Sequence, residues 1–157
     1  MKLSIHASDR FPELLDGDLP WTCFLRSLAE EIGPPDDTVE LSFVSDAEIA
    51  ALNSEWRGND GPTDVLSFHY GHSMPEGAEV EEDPVGEILV SVERARVQAA
   101  ERGHGVEQEL SLLVIHGLFH IMGLDHEDED EAAEMAEAEH PFRLRLSEYF
   151  ARSSGRS

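Results

Sequence analysis

Apolar residues recur along this chain in two rhythms, one of period two and one close to 3.6. In KLSIHAS, Leu3 and Ile5 alternate with polar neighbours, and in TVELSFV so do Val39, Leu41 and Phe43; both segments suit half-buried strands. WTCFLRSLAEEIG instead spaces Trp21, Phe24, Leu25, Leu28 and Ile32 as a helix does, with Pro20 near its start and Gly33 at its end. Cys23 falls within this apolar helix and is expected to be a small core residue. DAEIAALNSEWR carries Ile49, Leu52 and Trp56 on one face, with Ser45 or Asp46 as its cap. TDVLSF and GEILVSV read as further strands, separated by the loop-like GHSMPEGAEVEED. From Val92 onward the pattern is helical: ERARVQAAERG, VEQELSLLVIHGLFHIMG, and an acidic, alanine-rich stretch from Asp128 to about Phe150. The order βαβαββααα predicts an α+β fold, a mixed α/β arrangement in which about five helices pack a small, roughly four-stranded mixed sheet. Residues 1–150 are expected to form a single domain, and ARSSGRS, residues 151–157, a frayed tail.

Composition narrows the setting. A chain of 157 residues buries roughly two thirds of the surface its unfolded form exposes, enough for one core. A single cysteine excludes an internal disulfide framework, and no basic start followed by an apolar run and a cleavage site is present, so a cytoplasmic protein is expected. The longest uninterrupted apolar stretch in the helical half, Leu112 to Ile115, falls far short of the roughly 20 residues that span a bilayer, and no membrane partner is expected. The formal net charge of −23 repels polyanions and argues against loose nucleic-acid binding. Lys2 is the only lysine, so any cationic chemistry falls to ten arginines. The acidity fits either a salty cytoplasm, where screening tolerates surface repulsion, or ordinary compositional drift.

HGLFHIMGLDH changes the picture, because it sets polar, titratable groups at the end of an apolar helix. His116 and His120 are four residues apart and so share a helix face. Gly123 ends the helix and lets the chain double back, bringing His126 toward the same point. The offsets of zero, four and ten, with glycine at seven, are those of the metzincin zinc motif. Three imidazoles leave an open fourth position, the arrangement of catalytic zinc. One Zn2+ ion is expected on His116, His120 and His126, although imidazole also suits nickel, copper and iron. Asp125 is a candidate catalytic residue that orients a ligand or acts on a bound water, or else sits in a solvated turn. In zinc proteases the residue after the first histidine is the glutamate that serves as general base; here it is Gly117. Peptide hydrolysis by that mechanism loses its base, while a metal-activated water remains suited to a phosphodiester if a cation steadies the charge on phosphorus. Arg57 is the candidate cation, against the plainer reading of an arginine at a helix C-terminus.

EWRGNDGPTDVLSF, residues 55–68, the G-E-I strand start and HGLFHIMGLDH together resemble the YbeY family, bacterial rRNA maturation endoribonucleases. The resemblance runs from about Leu52 to Glu139, where EMAEAE is similar to the acidic segment that follows the family's histidines. It implies a zinc-dependent, single-strand-specific endoribonuclease that matures the 3′ end of small-subunit rRNA and serves ribosome quality control, with metal ligands at His116, His120 and His126 and a functional arginine at Arg57. It also implies single-stranded RNA, the ribosome and ribosome-associated proteins as partners, with no DNA expected. Glu87, Phe119 and Leu124 depart from the family's usual aspartate, leucine and aromatic residue, and the first departure leaves a role for position 87 in doubt. Two other readings stand beside it: a ribosome-assembly factor with a mainly structural metal, and a metal-dependent hydrolase of another substrate.

If the substrate is RNA, the few arginines are expected to gather near the metal cleft. His6, His69, His72, His104 and His140 read as surface or packing residues rather than ligands, with cleft lining the alternative for His69, directly after TDVLSF. EDEDEAAEMAEAE matches no oxygen-ligand loop and reads as a helix N-terminus continuing as a solvated face, with Met135 in the core and Glu139 a possible support for the histidines.

Overall fold

A computed structural model describes residues 1–14, 19–57, 63–70, 84–124 and 128–154, the side chains of Pro12, Trp56, Arg57 and Ser154 excepted. Its elements follow the predicted order: β1 (Lys2–Ala7), α1 (Pro20–Glu30), β2 (Thr38–Val44), α2 (Asp46–Arg57), β3 (Val65–His69), β4 (Gly86–Ser91), α3 (Val92–Arg102), α4 (Val106–Ile121) and α5 (Glu129–Ser154). A single 3-10 turn, Pro12–Leu14, follows β1. The acidic run opens α5 as expected, with the Asp128 side chain accepting from the Glu131 backbone N–H at 2.8 Å. α5 continues through Ser154, into the stretch set aside as tail.

The four strands form one mixed sheet in the order β1-β2-β4-β3. β1, β2 and β4 run parallel, and β3 returns antiparallel along β4, pairing Val65 with Val90 and His69 with Gly86. Central β4 is apolar at consecutive positions because both its faces are covered. Ile88 and Val90 enter the main core with Val39, Leu41, Phe43, Leu25 and Leu118, whereas Leu89 joins Leu66, Val44 and Ile49 on the other face, under α2. β3 lies on one edge of the sheet, and its last residue, His69, is exposed.

Local signals set these boundaries. Ser45 caps α2, its Oγ accepting from the Glu48 N–H and donating to the Glu48 carboxylate, both at 3.1 Å. Ser91 caps α3 and donates to Asp46, which ties the starts of α2 and α3 together. Asp64, ahead of β3, accepts from Gln98 of α3 at 3.2 Å and so anchors the entry to the edge strand. Gly103 ends α3 at φ 73°, a left-handed conformation that favours glycine. Just beyond it, the fully buried Glu109 carboxylate accepts from Arg102 at 2.7 Å and meets His104 at 2.5 Å. A buried carboxylate needs such partners, and this one pins the α3–α4 turn.

Cys23 is a correction. It is exposed, because the buried side of α1 is formed by Trp21, Thr22, Leu25, Leu28 and Ala29, and at 100° per residue position 23 points the other way.

Candidate metal centre

α4 is buried along nearly all its length, but Leu112, His116 and His120 recur every four residues as a half-buried stripe. Helical spacing thus brings the two histidines to the same opening while the rest of the helix is held by the core. Their rings lie edge to face, with centroids 4.6 Å apart, and their Nε2 atoms are 3.1 Å apart. Two nitrogens bound at about 2.0–2.1 Å to one tetrahedral ion stand roughly 3.3 Å apart, so the observed separation fits a shared metal.

Glu139 of α5 supplies the support. Its Oε1 lies 2.8 Å from Nδ1 of His116, and its carboxylate is almost wholly buried. A carboxylate there selects the tautomer with the proton on Nδ1, which leaves the Nε2 lone pair aimed toward His120. Arg143, one turn on, approaches the other Glu139 oxygen at 3.8 Å. α5 is itself seated by Met135 and Leu146, both in the core, so the carboxylate is delivered by a packed helix. Replacing Glu139 with alanine is expected to weaken zinc affinity about 10–100-fold, and replacing it with glutamine less, since the amide oxygen still accepts from Nδ1–H. Competition with a chelating dye measures this; a loss of thermal stability with unchanged zinc affinity would make Glu139 a packing residue only.

Gly117 is buried against the sheet. A Cβ there would lie 3.1–3.2 Å from the Ile88 side chain, so α4 rests directly on the centre of the sheet at this residue. Gly123 has φ 98°, and the N–H groups of Gly123 and Leu124 bond back to the carbonyls of His120 and Phe119 at 3.0 Å. The helix therefore stops where the glycine was expected to stop it, and the chain turns.

Other sequence candidates fall in different places. His126 and Asp125 lie outside the described residues, as does His72. Arg57 is the last residue of α2, and its side chain is likewise outside them. His69 closes β3 and lines a cleft of about 300 Å³ together with His120. His6 meets Glu40 at the surface and His140 is exposed. Glu87 accepts from the Tyr70 hydroxyl at 2.7 Å; burial, then that bond, pushes the Tyr70 pKa up to about 12, so it remains a donor at neutral pH. The expected gathering of arginines is not seen among the described side chains: Arg94, Arg96, Arg102 and Arg145 pair with Asp46, Glu13, Glu109 and Glu31. Three of these partners are surface carboxylates and Glu109 is buried, and among the described side chains only Arg143 reaches the histidine pair, through Glu139. None of the described helices is long and apolar enough to cross a membrane.

Comparison with known proteins places this geometry. Residues 22–146 match the family model described as Endoribonuclease YbeY. The Endoribonuclease YbeY of Alkaliphilus metalliredigens is 46% identical over 115 residues, covering 73% of this chain and 74% of that protein. That of Synechococcus sp. is 45% identical over 125 residues, covering 78% and 72%. The solution structure of TM1509 from Thermotoga maritima is similar over 99% of this chain and 96% of that one, with a TM-score of 0.64 and 30% identity.

Proposed function

Since this chain belongs to the YbeY endoribonuclease family, we propose that it is a zinc-dependent endoribonuclease that cuts single-stranded RNA, with small-subunit rRNA on the ribosome as its setting in the cytoplasm. The observation that carries the metal part of this reading is the His116–His120 pair, its Nε2 atoms converging and its first imidazole fixed by Glu139. His126, beyond the turn at Gly123, would complete the ligand set. Zinc held there would supply Lewis acidity toward a phosphate oxygen and lower the pKa of a water to about 7.

The chain's own residues divide the remaining work. Glu139 keeps the His116 proton on Nδ1, so this ring serves as a ligand through Nε2 rather than as a proton donor at that atom. Arg57 would bind the phosphate and offset the charge that builds on it. Asp125 would orient a ligand or take a proton.

Cleavage of short RNAs by the purified, zinc-loaded chain tests the proposal. Single-stranded RNA is expected to be cut, the same sequence in a duplex or as DNA to be spared, and Arg57→Glu to slow cleavage at least about 100-fold, as loss of one charge-stabilising donor does. Equal cleavage of the duplex, or full activity of Arg57→Glu, would overturn the assignment concerned.

A further inference from the structure

We propose that the cleft between the end of β3 and the last turn of α4 seats one unstacked base of the RNA strand, with His69 as its stacking partner. This rests on the endoribonuclease reading and adds to it a substrate contact on a residue outside the metal centre.

The backbone brings the two sides together. His69, the last residue of β3, pairs with Gly86, the first of β4. A Cβ on Gly86 would sit 2.6 Å from the Phe68 carbonyl oxygen and 3.0 Å from Cδ1 of Ile121, so the strand ends and the end of α4 meet closely here. That contact places His69 and His120 on one cleft of about 300 Å³, at the small end of the range for ligand pockets and suited to a single ring system with part of its sugar.

The lining selects the occupant. Val85, Ile121 and Met122 are apolar, and Met122, 44% exposed, offers apolar surface on which a ring can lie. Among the described residues neither lysine nor arginine contributes to this lining, while Asp37 brings a carboxylate. Such walls disfavour a phosphate and favour a base, which stacks on imidazole and offers edge amino groups to a carboxylate. A chain of net charge −23 gains little from long-range attraction to RNA, and stacking supplies affinity that needs no positive field. A base here would also lie beside His120, which aligns the adjoining phosphodiester with the metal ligands.

The zinc-loaded full chain is assayed in two ways: anisotropy with fluorescein-labelled 2′-O-methyl RNA hexamers, and cleavage of the matching RNA hexamers. His69→Ala is expected to weaken hexamer binding and raise KM about tenfold, in keeping with the loss of one stacked base, with kcat changed less than about twofold and zinc affinity unchanged. His69→Tyr should restore most of the binding, and hexamers with cytosine at the sensitive position should bind better than those with uracil. Hexamer binding and KM indifferent to His69→Ala would overturn the subsite alone, leaving the endoribonuclease reading intact. Loss of zinc in His69→Ala would also overturn it, making His69 a ligand. Hexamers that bind through His69 but whose RNA counterparts are never cut would support the subsite and defeat the endoribonuclease reading.

Discussion

Placing glutamate at position 117, where zinc proteases carry their general base, is expected to unfold this protein more readily and to produce no peptidase. Gly117 is buried, and even a Cβ there meets Ile88 at 3.1 Å, with Ile88 itself fully enclosed at the centre of the sheet. A glutamate would have to lift α4 off the sheet or force its carboxylate among Ile88, Leu118 and their neighbours. Overpacking of this kind costs about 1–3 kcal/mol, and an unpartnered buried polar group about 2 kcal/mol or more. Gly117→Glu should therefore lose at least about 3 kcal/mol, lowering Tm by roughly 10 °C for a chain of this size. Gly117→Ala should lose less, since Ile88 has only to shift by a few tenths of an ångström. Thermal unfolding followed by circular dichroism, with a casein digest alongside, checks both halves. A stable Gly117→Glu protein would show that α4 does not rest on the sheet as described.

Replacing His116 with alanine is expected to have the largest functional effect: zinc binding at micromolar metal disappears, and RNA cleavage falls by about 1,000-fold or more. His116 is the hinge of the site, because it faces both His120 at 3.1 Å and Glu139 at 2.8 Å. Its removal would delete one proposed ligand and leave Glu139, 5% exposed, facing an emptied space with Arg143 as its remaining ionic partner among the described residues. Stability should fall as well, because the buried Glu139 carboxylate loses its imidazole partner, while the core contacts of α4, made by its other faces, remain. Metal content by mass spectrometry, cleavage rate and Tm on the same preparation separate the outcomes. Cleavage that survives the change would point to another site or another nuclease.

The order of elements was legible because each relied on local signals that the structure retains: the period-two strands, the Ser45 and Ser91 caps, and Gly103 and Gly123 at helix ends. Histidine spacing made the His116–His120 pair legible for the same reason, since residues four apart on a helix share a face whatever surrounds them. What depends on tertiary placement was less accessible. Cys23 sits within an apolar run yet points outward, because Trp21 and Leu25 decide which side of α1 is buried. The buried Glu109 bridge to Arg102 and His104 joins two helices through a turn, and no motif announces it. Glu139, 23 residues after His116, reaches it only because α5 folds back along α4. Gly117 carried a double meaning: its missing carboxylate argued against peptide hydrolysis, and its closeness to Ile88 explains why a glutamate would not be accommodated there.

The central claim is that the His116–His120 pair holds a metal on which RNA cleavage depends. Its most direct test is to strip the full chain with a chelator, return zinc in sub-stoichiometric steps, and follow single-stranded RNA cleavage in the same samples. Cleavage is expected to be absent after stripping, to rise in proportion to added zinc and to level off at one ion per chain. Full cleavage by the stripped protein, or a rise that continues well past one equivalent, would contradict it.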